Sequence, residues 1–545
     1  MKALSHLTSG DNLPQTMNQS AIYNSEFWQS QFQITNEAVE ALLNSILEAG
    51  EPQSIDEVSL FFVNFAIEEQ QRRLRSEIEQ GKPYLPDQAY EVGDRLVFTH
   101  MNYAVGKIVD AREGFNPADG EFTVLDVLFE DEDNLTAQFA AGLKTPHTLL
   151  RAEQTTSAQN GAGASAQKIY SQFESLIRPK VERTLKQHPE FVNFSQDWFL
   201  ADLLAEVEEG LLNIVDAAID INGGPLNVDA LIEQIDLHGS SKITEALRFS
   251  VNYRLEKDER FENVGTEERV MWYLDRLQPA EVRQVPLRLR ADDPSFNVSF
   301  FDAEQRALLR EIDDELTPYE FQEEADPNVS SVTFILNYPH RREGTMPVLP
   351  TILSLLPEPD NPLLAIEFID GRTGDSWYGW WVTDHNYIYG LEDWYRTHQI
   401  PVGAFVNLTK TDDPHKLVVD LVPHRTQQEH VRVASVRNDR LVFEMKRRRL
   451  VCRYDELMII GEEGSVSIDV LWERVKREKL SLYDLLVQIF PELVKLTSQG
   501  AVHFKTIYSA INVLKRTSPG PLMQELIVQD SFVSMGHGYW TYRAG

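Results

Sequence analysis

The sequence contains a single cysteine and no long apolar run. Because Cys452 is the only cysteine among 545 residues, disulfides within the chain and zinc sites made of several cysteines are excluded. The stretch LVCRYDEL around it reads as a strand, which favours a buried and inert thiol. Residues 1–19 lack the apolar core of a signal peptide, and no run of about 18 apolar residues is available to span a bilayer. We therefore expect a cytoplasmic protein with no membrane partner.

Positive charge is also scarce. The chain has 85 acidic against 51 basic residues, which gives a net charge of −34. A chain of this charge repels nucleic acid on average, so a contact with nucleic acid requires a local basic surface. The alternative interpretation is that the acidic charge only keeps the protein soluble.

Sequence motifs of catalysis and metal binding are missing. No HExxH, CxxC or GxSxG pattern occurs. Gly161 and Gly163 do not belong to a phosphate loop, because no strand precedes them and no Lys-Ser/Thr pair follows. His340 and Glu343 form one His–Glu pair, which is unremarkable in so acidic a chain. We therefore predict no catalytic residue, no metal site, no cofactor and no enzymatic activity.

The hydrophobic patterns predict a multidomain α+β protein. At roughly 100–200 residues per domain, this length favours about three to five domains. The predicted segments are a helical N-terminal region (1–85), a β-barrel (86–152), a Ser/Ala/Gly/Gln linker (153–167), helices ending in an aromatic hairpin (168–280), an acidic mixed connector (281–330), a β-rich domain (331–462) and a helical domain with a second aromatic hairpin (463–545).

Short strands separated by glycine turns fill the second segment. The runs are VGDRLVF, YAVGKIVDAR, FTVLDVLFEDED and AQFA. This order resembles SH3-like or Tudor-like barrels, including barrels of bacterial transcription factors that dock on RNA polymerase. The resemblance implies a protein partner such as RNA polymerase.

The two aromatic hairpins belong to a repeat. DERFENVGTEERVMW (258–272) and DSFVSMGHGYW (530–540) each place a phenylalanine, a glycine and a tryptophan in the same order. A helix, a short strand and two further helices are predicted before each hairpin. This is the order of a winged helix, and the hairpin sequences resemble HARE-type winged helices, including that of the RNA polymerase delta subunit. The matching pairs are Phe261 and Phe532, Gly265 and Gly536, and Trp272 and Trp540.

The resemblance implies contact with DNA through the third helix, which enters the major groove in helix-turn-helix proteins. In the first copy this helix offers candidate contacts to phosphates and base edges, diluted by acidic neighbours. In the second copy it has no basic residue. The alternative is that both copies bind proteins. The candidates in the first copy are Lys242, Arg248, Asn252 and Arg254.

The β-rich segment resembles the DNA-binding pseudobarrels of plant transcription factors and of some restriction endonucleases. Asp370, Gly371 and Trp377 fit the first part of that pattern, and Trp394 lies in the short helix that follows. The final part, IPVGAFVNL, lacks the acidic residue expected after Gly403. The alternative is that these aromatic residues form the core of a barrel.

One dense basic cluster follows in a predicted β-hairpin. Because side chains alternate along a strand, Lys446 and Arg448 should share one face, and Arg447 and Arg449 the other. The cluster is the best candidate for a nucleic-acid surface in this acidic chain. The alternative is an edge strand that carries charge to prevent edge-to-edge pairing. Its members and neighbours are Lys446, Arg447, Arg448, Arg449, Arg437 and Arg453.

These observations together predict a non-enzymatic adaptor associated with DNA or transcription. The partners implied are DNA, RNA polymerase or another protein. Two alternatives stay open at this point. One is a protein-interaction scaffold without DNA contact, and the other is an accessory or recognition subunit of a DNA-processing or defence system.

Overall fold

The computed structural model describes residues 24–78, 81–98, 101, 104–116, 120–129, 136–144, 162–236, 242–292, 295–322 and 326–543. The chain divides into two compact units, Met1–Glu206 with Lys242–Tyr253 and Val207–Ser241 with Arg254–Gly545. Helices and sheets occur in both units, so the mixed α+β class is confirmed. None of the described helices combines the length and the apolar character that a transmembrane helix needs.

The N-terminal part of the first unit is helical, as expected. Helix α1 (Asn36–Ala49) is capped by Thr35, whose side chain accepts a hydrogen bond from the backbone of Ala38, and is followed by Gly50 in the left-handed conformation. Helix α2 (Ile55–Ile78) follows a short strand, β1 (Gln53–Ser54). Helix α3 (Ala162–Leu185) begins inside the segment predicted to be a linker, whose residues 153–161 lie outside the described residues.

A five-stranded meander lies between α2 and α3 in the sequence. Its strands pair in sequence order, and only the first pair is parallel. Leu96, Phe98 and Leu125 are buried between them. The strands predicted here are confirmed, while the SH3-like family stays a prediction. The strands are β2 (Lys82–Pro83), β3 (Arg95–Phe98), β4 (Ala104–Asn116), β5 (Gly120–Phe129) and β6 (Thr136–Ala141).

The first unit also contains a hairpin that the sequence analysis did not predict. Strands β7 (Phe191–Phe194) and β8 (Asp197–Leu200) pair with each other, and β8 also pairs with β1. Phe249 of the third helix in the first repeat packs edge-on against Phe199, with ring centroids 5.5 Å apart. Ser250 Oγ in the same helix accepts a hydrogen bond from the backbone of Ala205 at 2.9 Å. These contacts explain why most of this helix belongs to the first unit.

The first copy of the repeat has the expected order of elements. Its short strand and its hairpin form one sheet in the order β10-β11-β9. Asn227 caps the second helix by accepting a hydrogen bond from the backbone of Ala230. Trp272 of the hairpin is buried. The elements are α4 (Glu209–Asn222), β9 (Leu226–Asn227), α5 (Val228–Ile235), α6 (Glu245–Glu256), β10 (Phe261–Asn263) and β11 (Met271–Leu274).

The connector and the β-rich segment follow. After α7 (Ala280–Arg283) and α8 (Ala303–Arg310), a seven-stranded sheet runs in the order β12-β17-β18-β14-β15-β16-β13, and only β14 and β18 pair in parallel. Phe368, Trp381 and Ile388 lie in its core. The elements are β12 (Ser331–Ile335), α9 (Tyr338–Glu343), β13 (Thr345–Pro347), α10 (Pro350–Leu353), β14 (Leu363–Asp370), β15 (Ser376–Val382), β16 (Tyr387–Tyr389), α11 (Glu392–Thr397), β17 (Phe405–Lys410) and β18 (Lys416–Leu421).

The basic cluster lies in a long hairpin made of β19 (Pro423–Arg437) and β20 (Arg440–Cys452). The third strand of this sheet is β21 (Ile460–Glu462), and the order β20-β19-β21 leaves β20 at the edge. Asn438 and Asp439 both have positive φ, as a tight two-residue hairpin turn requires. Helix α12 (Ser465–Glu478) follows.

The second copy of the repeat closes the chain with the same sheet order, β22-β24-β23. Trp540 is buried like Trp272. The repeat is therefore confirmed in its element order and sheet topology, and its membership of a winged-helix family stays a prediction. The elements are α13 (Leu482–Val494), β22 (Ala501–His503), α14 (Phe504–Ile511), α15 (Pro519–Val528), β23 (Phe532–Gly536) and β24 (Tyr539–Tyr542).

Candidate functional site

One face of the basic hairpin carries a chain of alternating charges, which we call the ion-paired face. Lys446 contacts Glu463, and Arg448 Nη2 lies 2.5 Å from the same carboxylate. Lys446 Nζ also lies 3.5 Å from Glu444, which pairs with Arg437 at 2.6 Å. The predicted shared face of Lys446 and Arg448 is confirmed by their common partner. Because two carboxylates compensate three cations, this face offers little net charge to a phosphate backbone.

The hydrogen bond from Lys446 lowers the pKa of Glu463 below its usual value, and the same bond raises the pKa of Lys446. Both groups therefore stay charged at neutral pH.

The other side of the hairpin, which we call the open face, presents uncompensated charge. Arg447 and Arg449 are exposed, and no carboxylate lies within ion-pair distance of either among the described side chains. His430 and Gln428 lie opposite them on β19, so they share this face. Met445, next on the same face, is 44% exposed. The open face therefore has two free guanidinium groups beside an apolar side chain.

The remaining candidate of this region stands apart from both faces. Arg453 follows the end of β20, and its guanidinium lies over the ring of Phe405 at 5.5 Å from the centroid. Its side chain is exposed at the surface of the seven-stranded sheet.

The candidates on α6 are not presented together. Asn252 is buried, with 8% exposure, so it is not available to a base edge. Arg248 pairs with Glu245 on its own helix, and Arg254 is half-buried. Lys242 is exposed just before the helix begins. An interaction with Asn252 would require its side chain to leave the packed face of the helix.

The third helix of the second copy is covered by the connector. A Cβ atom added at Gly520 in α15 would lie 2.4 Å from the ring of Phe296. The backbone of Asn297 donates to Gln524 Oε1 at 2.7 Å. The first residues of α15, 519–523, are buried. This helix therefore cannot enter a DNA groove without displacing part of its own chain.

The hairpin of the second copy contacts the same connector. The backbone of Gly538 donates to Glu304 Oε1 at 2.9 Å, and a Cβ atom added at Gly538 would lie 2.9 Å from a methyl group of Leu308. The connector therefore contacts the third helix and the turn of the hairpin in this copy, while Met535 and Tyr539 of the hairpin stay exposed.

Basic residues on or near the second helix of this copy are also used internally. Lys505 pairs with Glu311 at 2.8 Å and with Asp455 at 3.2 Å. Arg516 is buried and binds Asp314 at 2.6 Å and Glu315 at 2.8 Å. These cations hold the connector in place and are not part of a nucleic-acid surface.

The hairpin of the first copy packs on the seven-stranded sheet. The carbonyl of Val264 accepts a hydrogen bond from the backbone of Ala365 at 2.7 Å. At the hairpin tip, Arg269 pairs with Asp413 at 2.5 Å, and Thr266 Oγ1 lies 3.2 Å from His415 Nε2. Burial, with the positive charge of Arg269, lowers the pKa of His415. The turn of this hairpin is therefore anchored within the chain.

His340, paired with Glu343 in the sequence analysis, has different partners in the structure. Its Nε2 lies 2.9 Å from Glu315, and its Nδ1 lies 2.8 Å from Thr345 Oγ1. Burial alone would raise the pKa of Glu315, but Arg516 and His340 outweigh it and hold the pKa well below the usual range. This group is fully buried, so we interpret it as structural.

The thiol of Cys452 is buried, and burial raises its pKa to about 11. The prediction of an unreactive thiol is supported, because the thiolate is the reactive form. Within the described part of the chain, no three His, Cys, Asp or Glu side chains converge as metal ligands would.

Residues of the pseudobarrel resemblance converge on a cavity that the sequence analysis did not predict. Asp370 at the end of β14, Trp377 on β15 and Trp394 on α11 all line it, together with His398. His398 Nε2 lies 2.6 Å from Asp370 Oδ2. Trp394 lies in the short helix that was predicted for it, but the convergence of these residues was not predicted.

Comparison of the chain with protein-family models, curated proteins and solved structures finds no match.

Proposed function

We propose that this chain is a non-enzymatic protein-interaction scaffold, and that its open face binds an acidic segment of a partner protein. The observation that carries the proposal is the coverage of the repeated units by their own chain. The connector packs on α15 and contacts the turn of the second hairpin, and the seven-stranded sheet holds the first hairpin. Units packed in this way support the chain itself, and the hairpin β19–β20 presents an accessible charged surface.

Charge complementarity supports an acidic protein segment as the partner. Arg447 and Arg449 are free to form bidentate pairs with carboxylates. Met445 adds apolar contact, which carboxylate-rich peptides with hydrophobic side chains can use. The strand β20 is also an unpaired sheet edge, to which an extended segment can add by backbone hydrogen bonds.

Nucleic acid is a second candidate because the same two arginines suit phosphates. Two neutralised phosphates give a slope of only about −1.8 in log K against log salt on duplex DNA. With a net charge of −34 on the chain, such a contact has to overcome general repulsion. Because two phosphate contacts are few against this repulsion, we favour a protein segment over a nucleic acid as the partner.

Capture from the native cell separates the two candidates. The experiment compares three proteins, each with and without nuclease. They are the parent, the double variant Arg447→Glu with Arg449→Glu, and the control Arg440→Glu. Arg440 is exposed on the same strand but lies opposite Arg437, outside the open face. We expect a protein that survives nuclease, is lost with the double variant and is retained by the control. Loss of the captured protein after nuclease, or equal capture by the double variant, would overturn the proposal.

A further inference from the structure

A cavity of about 410 Å³ lies beside the seven-stranded sheet, at the end of β14 and the start of α11. It has the size of a small-ligand site. Nothing in the proposed scaffold role requires it, and it is distinct from the hairpin β19–β20. The residues that the argument uses are Asp370, Asp375, Trp377, Glu392, Trp394 and His398.

The base of the cavity is a fixed carboxylate–imidazole pair. Asp370 is buried, and its Oδ1 accepts a hydrogen bond from the backbone of Arg372 at 2.8 Å. Burial raises the pKa of Asp370, but this hydrogen bond and the one with His398 outweigh burial and lower it overall. An ionised carboxylate only accepts hydrogen bonds, so His398 Nε2 is the donor in the pair.

Aromatic rings form the walls. Trp377 is half-buried, and its Nε1 donates to the carbonyl of Gly390 at 2.8 Å, which fixes the orientation of the ring. Trp394 is buried and packs edge-on against His398, with centroids 5.5 Å apart. The faces of indole rings attract cations more strongly than other aromatic rings do.

The rim of the cavity carries more carboxylates than cations. Asp375 and Glu392 are exposed, and neither has an ion-pair partner among the described side chains. Arg372 pairs with Asp420 outside the cavity, whereas Arg396 pairs with Asp393, a further carboxylate of the rim. Arg341 of α9 donates to the carbonyl of Ile400 and lies over the ring of Tyr395. A positive group that entered the cavity would therefore meet the carboxylates of Asp375 and Glu392, which are not taken up by an ion pair among the described side chains.

We propose that this cavity binds an organic cation, an alkylammonium or guanidinium group, against Trp377 and between the carboxylates of Asp375 and Glu392. Two sources share this chemistry. One is a lysine or arginine side chain of a peptide segment, and the other is a free small amine. The aromatic residues give the site its apolar contact, and the rim carboxylates give it its preference for positive charge.

Isothermal titration calorimetry on the full chain tests the proposal with defined probes. The free probes are choline and its uncharged carbon isostere, and the peptide probes are short blocked peptides with one central lysine, arginine or alanine. We expect choline or the basic peptides to bind with a Kd in the millimolar range or tighter, and the uncharged probes to bind at least about tenfold more weakly. Binding of choline alone identifies a free amine as the ligand, and tighter binding of the basic peptides identifies a protein side chain.

Variants connect the binding to this cavity. Asp375→Asn with Glu392→Gln should weaken the binding of the cationic probe by about tenfold or more. Asp384→Asn with Glu358→Gln makes the same charge change at exposed positions outside the cavity and should leave the Kd unchanged. Trp377→Leu should weaken binding, with Trp377→Phe retaining part of it. The proposal is overturned if no cationic probe binds at about 10 mM, if the uncharged isostere binds equally well, or if the two double variants behave alike.

Discussion

The two copies of the repeat share an element order and a sheet order, yet their surroundings differ. In the first copy, the boundary between the two compact units passes through α6, and the charges of Arg276, Asp216 and Asp220 form surface ion pairs. In the second copy, every residue of α14 is buried, and the cation Arg516 lies inside the protein. The same local pattern therefore carries ion pairs at the surface in one copy and buried ion pairs in the other.

The difference teaches that topology alone does not assign a DNA-binding role. A winged helix binds DNA through the third helix and the hairpin. In the second copy, the connector contacts both of these elements. The contacts that a repeated unit makes with the rest of the chain therefore limit which partners it can bind.

Replacing a hairpin tryptophan with alanine should cause the largest loss of stability, and the loss should be similar in the two copies. Trp272 and Trp540 are 1% and 3% exposed. Substitution of either by alanine should cost about 3–5 kcal/mol, as expected for a large core side chain. Urea unfolding followed by circular dichroism measures the loss. A cost below about 1 kcal/mol for either variant would mean that its hairpin does not pack on the helices.

Removing one arginine from each copy should cause different losses of stability in the two copies. Arg516→Ala leaves Asp314 and Glu315 buried without their cation, so we expect a loss of about 3–5 kcal/mol. Arg276→Ala removes only exposed surface pairs and should leave stability nearly unchanged. The same unfolding experiment compares them, and equal losses would contradict the assignment of one pair as buried and the other as exposed.

A matched pair of glycine substitutions tests the contact with the connector. Gly520 and Gly210 lie near the starts of α15 and α4, but only Gly520 faces another group, the ring of Phe296. Gly520→Ala should destabilise the protein by about 1–3 kcal/mol through overpacking. Gly210→Ala meets open space and should be neutral or stabilising by up to about 1 kcal/mol. A neutral Gly520→Ala variant would remove the evidence that residue 296 covers this helix.

Acid should destabilise the protein in part through Glu315, which pairs with Arg516 of the second copy. Its pKa is depressed in the folded state, so its stabilising contribution is present above the unfolded value of 4.5 and is lost as the pH falls below it. We expect the unfolding midpoint to fall as the pH is lowered from about 6 to about 3. The variant Glu315→Gln should show a smaller dependence on pH over this window, and an unchanged dependence would exclude Glu315 as a source.

The sequence allowed the local elements to be predicted but not their neighbours. The repeat was predictable because aromatic spacing, glycine turns and the cap at Asn227 are local signals. The hairpin β7–β8 was missed, although FVNFSQDWFL carries aromatic residues on both sides of a Ser-Gln turn. Because residues 168–275 were predicted to be helical up to the aromatic hairpin, this short pattern was not recognised as a hairpin.

The candidate sites depend on contacts between distant residues. Alternation predicted the shared face of Lys446 and Arg448, but nothing in the sequence indicated that both would pair with Glu463. In the same way, Trp377 and Trp394 were noted as parts of a pattern, whereas their convergence with His398 depends on the order of strands in the sheet. Patterns among neighbouring residues in the sequence cannot predict such contacts between distant residues.

The most direct test of the account is a titration of fluorescent duplex DNA with the full chain, followed by anisotropy, at about 50 mM salt where phosphate contacts are strongest. Because the connector packs on the third helix of the second copy and the open face carries two arginines, the account predicts no saturable binding by the parent. Saturable binding that persists in the double variant Arg447→Glu with Arg449→Glu would show that the repeated units reach DNA, and would contradict the account.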